Sequence, residues 1–222
     1  MEPVNKEERF LSKFVDTSND NIARKLFTKP LKPYTHYDRT NNNPENLVQE
    51  ADLLELPKTP EGYRYLLTVI DESTRLFDGE PLKNKTAASI KAAFERIYQR
   101  GILEFPKLLK TDKGGEFNNA TVRTFLRNNG TVLKIIAAER PQQLPYLGFL
   151  HSLLGKSIFI YLVNEEYKLG HLVTNWIPPL RIIVESYNEI YSRLPQPGKY
   201  KYSMGVCKGK DCCLVDHNEC KA

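Results

Sequence analysis

The sequence predicts an α/β fold in which helices cover a mixed β-sheet. Three strand-like segments come first in the chain, and helical and strand-like segments alternate after them. A hairpin-rich start that leads into alternating helices and strands is typical of a mixed sheet with helices packed on it. The chain of 222 residues is long enough for one large domain with extensions.

Five segments have the composition of β-strands. Short runs rich in β-branched, aromatic and other apolar residues, bounded by turn residues, favour strands. The first three predicted strands are Leu47–Leu56, Tyr63–Ile70 and the weaker Arg75–Leu82, and the two later ones are Leu108–Thr111 and Thr131–Ala137.

Four segments have helical patterns. The first begins after Thr86, a suitable N-cap residue, has apolar residues at helical spacing and ends at Gly101. The fourth and last of these segments is expected to accommodate two prolines in its first turn. The other three predicted helices are Asn118–Asn129, Leu147–Tyr167 and Asn175–Arg193.

Charge and hydropathy exclude few classes of function. The 32 basic and 27 acidic residues leave a net charge of +5, which permits binding to a phosphate backbone without requiring it. No apolar run approaches the roughly 20 residues of a membrane span. The charged N-terminus does not resemble a secretory signal. We therefore expect an intracellular protein that does not span a membrane.

Composition divides the chain into three parts. Residues 1–45 are polar and rich in chain-breaking residues, and they predict an arm or linker with a short helix at Ala23–Phe27 and an extended segment at Lys29–Tyr37. Residues 46–193 contain the predicted sheet and helices. Residues 194–222 form a tail expected to be disordered, and its potential metal ligands are Cys207, Cys212, Cys213, His217 and Cys220.

The cysteine tail does not predict a zinc site. Four thiols and one imidazole are ligands that zinc accepts, but their spacing fits no common zinc finger and contains no Cys-x2-Cys pair. All cysteines lie at this end of the chain, so a disulfide-stabilised secreted fold is not expected either.

Two aspartates are candidates for metal chemistry. Asp52 lies inside an apolar predicted strand, where a carboxylate is costly unless it is paired or metal-bound. A structural or solvent-facing Asp52 fits the same pattern. Asp112 ends a predicted strand and precedes a Gly-Gly turn that would let the backbone approach a ligand closely, although an ordinary turn aspartate has the same surroundings.

In order along the chain, four motifs resemble the catalytic core of retroviral and retrotransposon integrases. The third motif, Asp112-Lys113-Gly114-Gly115-Glu116-Phe117, is similar to the family's Asp-x-Gly-x-x-Phe motif. The likeness extends from about residue 47 to 192, and the basic, tyrosine-rich arm most resembles integrases of Polinton or Maverick elements and virophages. The four segments are residues 67–75, 81–87, 110–117 and 184–188.

The resemblance implies an RNase H-like, mixed five-stranded sheet flanked by helices. It further implies a DNA strand transferase in which Asp52 and Asp112 match the first two carboxylates of a DDE triad. These carboxylates would bind Mg²⁺ or Mn²⁺, and two such ions would stabilise the attacking and leaving oxygens of phosphodiester transfer. DNA is the implied partner.

The third carboxylate of the triad is missing. In the family a glutamate lies on the helix after the loop that follows the second aspartate, but Gly148 stands at that position. His151, one turn further on, and Glu139, in the preceding loop, are possible substitutes, although imidazole is a poor ligand for Mg²⁺. Lys113 and Lys156 are the residues expected to contact nucleic acid.

Two functions from different classes remain open. The first is an integrase with impaired activity. The second is a catalytically silent paralogue that binds nucleic acid or acts as an assembly subunit. The helix from Leu147 is apolar nearly all round, so Phe149 and Leu153 are expected to face solvent or a partner, which favours a homodimer, unless the N-terminal arm covers them. The expected location is the host nucleus, a viral particle or a viral factory.

Overall fold

The computed structural model describes residues 6–14, 44–136 and 144–192. Within these ranges the chain forms a five-stranded sheet with helices on both faces. The strands are β1 Val48–Glu55, β2 Tyr65–Asp71, β3 Phe77–Leu82, β4 Leu108–Thr111 and β5 Val132–Ile135. The helices are α1 Lys6–Leu11, α2 Ala87–Gln99, α3 Ala120–Asn128, α4 Pro145–Leu169 and α5 Leu180–Tyr191.

The strand order across the sheet is β3-β2-β1-β4-β5. β2 is antiparallel to both β1 and β3, so the first three strands form a meander. β4 is parallel to β1 and β5 is parallel to β4. Parallel neighbours require crossover connections, and α2 and α3 lie in these two crossovers. The predicted α/β architecture, a mixed five-stranded sheet flanked by helices, is confirmed.

Local capping accounts for where α2 and α3 begin. The hydroxyl of Thr86 accepts a hydrogen bond from the backbone N–H of Ser89 at 3.3 Å. The side-chain oxygen of Asn119 accepts one from the N–H of Val122 at 3.0 Å. Each bond satisfies a backbone donor that the first helical turn leaves without a partner. Thr86 is the N-cap that the sequence predicts.

The sheet separates two apolar clusters. Side chains of a strand alternate between faces, so Glu50, Asp52 and Leu54 of β1 point one way, and Ala51 and Leu53 point the other. The face with Leu54 packs against residues of α4, α5 and α1. The opposite face, with Ala51 and Leu53, packs against residues of α2 and α3. Glu50 and Asp52 of β1 therefore face α4.

The apolar surface of α4 is largely buried. Leu153 has 8% of its surface exposed and belongs to the cluster that also contains residues of α5 and α1. The prediction that Leu153 faces solvent or a partner is therefore wrong, because α4 packs against helices as well as against the sheet. Phe149 is 41% exposed, and its ring lies 5.8 Å from the ring of Tyr191.

By length and composition, α4 could also cross a membrane. The prediction that no apolar run approaches the length of a membrane span is wrong by the helix's length and hydropathy. Gly155, Lys156 and Ser157 interrupt the apolar run but do not interrupt the helix. Leu150, Leu154 and other apolar residues of α4 are buried in the core beside the sheet. Packing in the folded chain therefore accounts for much of the apolar character of α4.

Helix α5 begins later than predicted. The sequence predicts a helix from Asn175, whereas the structure starts α5 at Leu180 with Pro179 at the N-cap. A residue that precedes proline is disfavoured in the helical region. Both Ile177 and Pro178 precede a proline, so the chain cannot easily enter a helix before Pro179.

Part of the predicted N-terminal arm is a helix that packs on the core. Phe10 and Leu11 of α1 are buried, with 0% and 2% of their surfaces exposed. The Phe10 ring makes an edge contact with Tyr191 of α5, with 5.9 Å between the centroids. At the surface, Arg9 and Lys13 both pair with Glu189. Residues 6–14 thus cover the end of α5 that also contacts Phe149.

Several predicted features lie outside the described residues. They include the short helix at Ala23–Phe27, the extended segment at Lys29–Tyr37 and Glu139. The cysteine-rich tail also lies outside the described ranges.

Replacement of Phe10 tests whether α1 belongs to the folded core. Phe10→Ala should lower the free energy of unfolding by about 3–5 kcal/mol, as expected for a buried phenylalanine. Phe159→Ala on α4 is the matched control, because Phe159 is 44% exposed, and it should cost much less. Denaturant titration measures both values. Equal losses in the two variants would show that α1 does not contribute to the core.

Candidate functional site

The sheet brings Asp52 and Asp112 together. Ala51 of β1 pairs with Thr111 of β4 in parallel register, so Asp52 and Asp112 follow at equivalent positions. Neighbouring strands are about 4.8 Å apart, and residues in register on parallel strands project toward the same face. The two carboxylates therefore lie side by side on the face that α4 covers.

Asp52 is in an environment that disfavours its charge. Its pKa is raised from 3.8 to about 6, mainly because the carboxyl is buried and also because Asp112 and Glu116 are negative. The backbone N–H of Leu53 donates to Asp52 Oδ1 at 2.7 Å and opposes this shift, as does the charge of Lys85. A cation placed between the carboxylates would relieve the repulsion.

A tight turn after β4 holds the second carboxylate. The N–H of Gly114 donates to Asp112 Oδ1 at 3.0 Å. A Cβ atom at Gly114 would lie 2.5 Å from a Glu116 carboxylate oxygen and 3.0 Å from Asp112 Oδ1. A side chain at position 114 would therefore have to displace the end of the Glu116 side chain. Glu116 lies in the same motif as Asp112, but it was not predicted as part of the site.

His151 of α4 also reaches this site. Its Nδ1 lies 3.8 Å from Asp52 Oδ2, and its Nε2 lies 2.7 Å from the hydroxyl of Thr68 on β2. Burial lowers the pKa of His151 to about 4. The ring is therefore neutral at pH 7, and its contact with Asp52 is not an ion pair.

Gly148 lies on an open part of α4. It is exposed, and a Cβ atom at this position would have no neighbour within 4 Å. A Cβ atom at position 148 would therefore displace no described residue. Of the two predicted nucleic-acid contacts, Lys113 is exposed in the turn after β4, and Lys156 is partly buried on α4.

The described residues contain no group of three His, Cys, Asp or Glu side chains arranged to hold a metal ion. Mg²⁺ is usually bound by one or two carboxylates together with substrate phosphates rather than by a cage of protein ligands. The donor set of Asp52 and Asp112 fits that mode, because the two carboxylates are neighbours and can share a cation with a phosphate.

A buried glutamate connects the sheet to α4. Glu50 of β1 has 0% of its surface exposed, and its Oε2 accepts hydrogen bonds from the N–H groups of Tyr146 and Leu147, at 3.2 and 3.1 Å. Leu144, the N-cap residue of α4, makes no side-chain capping bond. Glu50 therefore satisfies backbone donors at the helix start that would otherwise be buried without partners.

Glu50 is one member of a buried charged group. Burial raises its pKa above the usual glutamate range, and the neighbouring negative charge of Glu72 raises it further. Lys110 Nζ donates to Glu72 Oε1 at 2.6 Å. Glu50 Oε1 has no hydrogen-bond partner among the described residues. The arrangement favours a protonated Glu50 beside a Glu72–Lys110 ion pair.

Two other residues of the sequence motifs have structural roles. Asp71 is fully buried, and its carboxylate accepts hydrogen bonds from the N–H groups of Asn46, Ser73 and Thr74. The amide of Asn188 in α5 donates to the carbonyl of Phe77 and accepts from its N–H, which fastens α5 to the edge strand β3.

The part of the chain that carries both aspartates is similar in sequence to integrases. Residues 42–141 match the family model described as the integrase core domain. This stretch includes both aspartates and the turn after β4, and it ends before α4.

Similar sequences occur in retroviral polyproteins. The chain is 30% identical over 105 residues to the Pol polyprotein of Feline endogenous virus ECE1, a match that covers 47% of this chain and 10% of that protein. It is also 30% identical over 105 residues to the Gag-Pol polyprotein of Baboon endogenous virus (strain M7), over 47% of this chain and 6% of that protein. The chain thus spans a tenth or less of the length of these relatives.

Among solved structures, the chain is similar to one described as the catalytic core domain of BIV integrase. It has a TM-score of 0.48 and 14% sequence identity, and the match covers 65% of this chain and 84% of that chain.

The buried state of Glu50 predicts a pH dependence of stability. Its raised folded pKa means that stability is fully present below the ordinary glutamate pKa of 4.5 and declines as the pH rises through the folded value. Glu50→Gln keeps an acceptor for α4 but cannot ionise. We expect it to remove this decline and to be more stable than the wild type at alkaline pH.

Denaturant titrations in metal-free buffer from about pH 5 to pH 9 measure this effect. Glu55→Gln is the matched control, because Glu55 is exposed at the end of the same strand, and it should keep the wild-type slope. Glu50→Ala should lose about 1–3 kcal/mol at every pH, since the helix donors lose their acceptor. Equal pH slopes for the wild type and Glu50→Gln would contradict the assignment.

Proposed function

We propose that this chain is a DNA strand transferase of the integrase type whose activity is impaired at Gly148. One observation carries the proposal. Asp52 and Asp112 lie at equivalent positions of neighbouring parallel strands, inside the segment that matches the integrase core domain. Acidic side chains that converge from separate strands are the arrangement that metal-dependent phosphodiester transfer requires.

In this proposal Asp52 and Asp112 hold Mg²⁺ or Mn²⁺ together with the phosphate of the DNA. The bound metal would polarise that phosphate and activate the attacking hydroxyl group. The chain itself keeps the carboxylates close on adjacent strands, and the Gly114 N–H orients Asp112. Lys113 is exposed beside the site and is suited to contact a DNA phosphate.

The missing carboxylate accounts for the impairment. A family member would supply a third acidic ligand from α4, and Gly148 supplies none. A second candidate function is a catalytically silent paralogue that binds nucleic acid or assembles with other subunits. Gly148 and the exposed Phe149 ring on α4 favour this alternative.

The same proposal includes a partner and an origin. A homodimer that uses the remaining exposed apolar residues of the helices is expected, since closed two-fold dimers are the commonest oligomers. We further propose that the chain comes from a Polinton or Maverick element or a virophage and acts in the host nucleus, a viral particle or a viral factory. The tyrosine-rich, basic arm before Asp52 supports that origin.

Restoring the third carboxylate is the direct functional test. We expect weak strand transfer by the wild type on a short duplex with a recessed 3′ end, in Mg²⁺ or Mn²⁺. Gly148→Glu should raise the rate by at least about tenfold, because even the loss of a residue that supports a metal ligand costs that much. The Cβ atom of the new glutamate would meet no neighbour within 4 Å.

Gly155→Glu is the matched control, because Gly155 lies on the same helix and a Cβ atom there also meets nothing within 4 Å. It should leave the rate unchanged, and Asp112→Asn should abolish transfer in the Gly148→Glu background. Vigorous wild-type activity that survives Asp112→Asn would refute the site. Inactivity of every variant, with normal duplex binding, would favour the silent paralogue.

A further inference from the structure

We propose that Lys83 and Lys85, at the end of the sheet that carries the candidate metal site, bind phosphates of a DNA strand about three nucleotides from the reacting phosphate. The inference rests on the proposed function, because it concerns the DNA on which the same site would act. It goes further in assigning DNA contacts to two residues for which the sequence predicted no role.

The sheet topology places both lysines at the end where β1 finishes. Tyr65, the first residue of β2, pairs with Glu55, the last residue of β1. On its other side Tyr65 pairs with Leu82, the last residue of β3. Lys83 and Lys85 follow directly, in the connection from β3 to α2. They therefore lie at the end of the sheet toward which β1 runs after Asp52.

A tyrosine ring lies beside each lysine. The Lys83 ammonium is 5.0 Å from the centroid of the Tyr63 ring, and the Lys85 ammonium is 4.7 Å from that of Tyr65. The face of an aromatic ring attracts a cation over such distances. The turn before β2 also lies against Lys83, since a Cβ atom at Gly62 would be 3.9 Å from Lys83 Cδ. The two ammonium groups thus have defined positions, although both lysines are exposed.

The charges of the two lysines are not neutralised within the described part of the chain. Neither Lys83 nor Lys85 forms an ion pair there. By contrast, Arg64 on the same turn is paired with Glu55 at 2.6 Å. Two ammonium groups held two residues apart repel each other. An anion that contacts both of them would relieve this repulsion.

The start of α2 adds to the positive potential at this point. Lys85 directly precedes Thr86, the N-cap residue, and the first turn of α2 contains no acidic residue. The N-terminus of a helix carries a partial positive charge, because its first N–H groups lack carbonyl partners. A phosphate beside Lys85 would therefore be favoured by the ammonium group and by the helix dipole together.

The distance from Asp52 sets the position of the contact on the DNA. Burial raises the pKa of Asp52, and the charge of Lys85 opposes that rise, so the two groups interact electrostatically. Asp52 pairs with Thr68, and Tyr65 lies three residues nearer the end of the sheet. At about 3.4 Å per residue, this is about 10 Å. A DNA strand advances about 3.4 Å per nucleotide, so about three nucleotides span that distance.

The salt dependence of DNA binding tests the two contacts. Fluorescence anisotropy would give the affinity of the full chain for a labelled duplex with a recessed 3′ end over a series of salt concentrations. Each phosphate contact contributes about −0.9 to the slope of log K against log salt concentration. Lys83→Gln/Lys85→Gln should therefore reduce the magnitude of the slope by about 1.8 and weaken binding.

Lys107→Gln/Lys134→Gln is the matched control. It removes the same charge from two other exposed lysines. Lys107 precedes β4, at the opposite end of the sheet, and Lys134 lies within β5. Because neither lies at the end of the sheet beyond Asp52, this variant should keep the wild-type slope.

A neutral methylphosphonate in place of one phosphate locates the contact on the DNA. Placed about two to four nucleotides from the reacting 3′ end, it should weaken binding by the wild type. It should add little to the loss in Lys83→Gln/Lys85→Gln, since that variant no longer makes the contact. Equal weakening of both proteins at every position of the methylphosphonate would contradict the assignment.

Two further outcomes separate this inference from the proposed function. A wild-type slope in Lys83→Gln/Lys85→Gln, or an equal change in the control variant, would overturn the inference. Strand transfer that depends on Asp112 would then still support the proposed function. A wild-type chain that binds no duplex would contradict both.

Discussion

The hydrogen bonds from the N-terminus of α4 to the Glu50 carboxyl hold this helix against the strand that carries Asp52. β1 lies at the centre of the sheet, and Glu50 and Asp52 project from the same face of it. One strand therefore supplies the first candidate metal ligand and also holds the helix that faces it. Burying a carboxyl group with an oxygen that lacks a partner is costly. The proton that Glu50 retains and the two backbone donors of α4 reduce that cost.

Local signals in the sequence predicted most of the fold. The five strands and the starts of α2 and α3 follow from apolar periodicity and from capping by Thr86, and each is found close to its predicted bounds. The late start of α5 and the packing of α1 were missed. The burial of Phe10 depends on contacts with α5, more than 150 residues away in the chain, and no local pattern encodes it. The same is true of Leu153, whose burial depends on which helices lie beside α4.

The site was predictable in part. Asp52 and Asp112 were identified by likeness to the integrase family, and the structure places them together. His151 was one of two possible substitutes for the missing carboxylate. The role of Glu50 was not predicted, because a glutamate in an alternating strand can face solvent or a buried helix end with equal ease. The Thr68 hydroxyl that contacts His151 belongs to β2, and Thr68 lies 83 residues before His151 in the chain. Such a contact emerges only when the sheet and α4 are assembled.

Asp52 and Asp112 are proposed to bind a metal ion together despite the glycine at position 148. Anomalous diffraction from crystals of the chain soaked in Mn²⁺ would show whether they do. We expect an anomalous peak about 2.2 Å from a carboxylate oxygen of Asp52 and of Asp112. A fully soaked crystal with Mn²⁺ peaks elsewhere, and none between these two side chains, would contradict it.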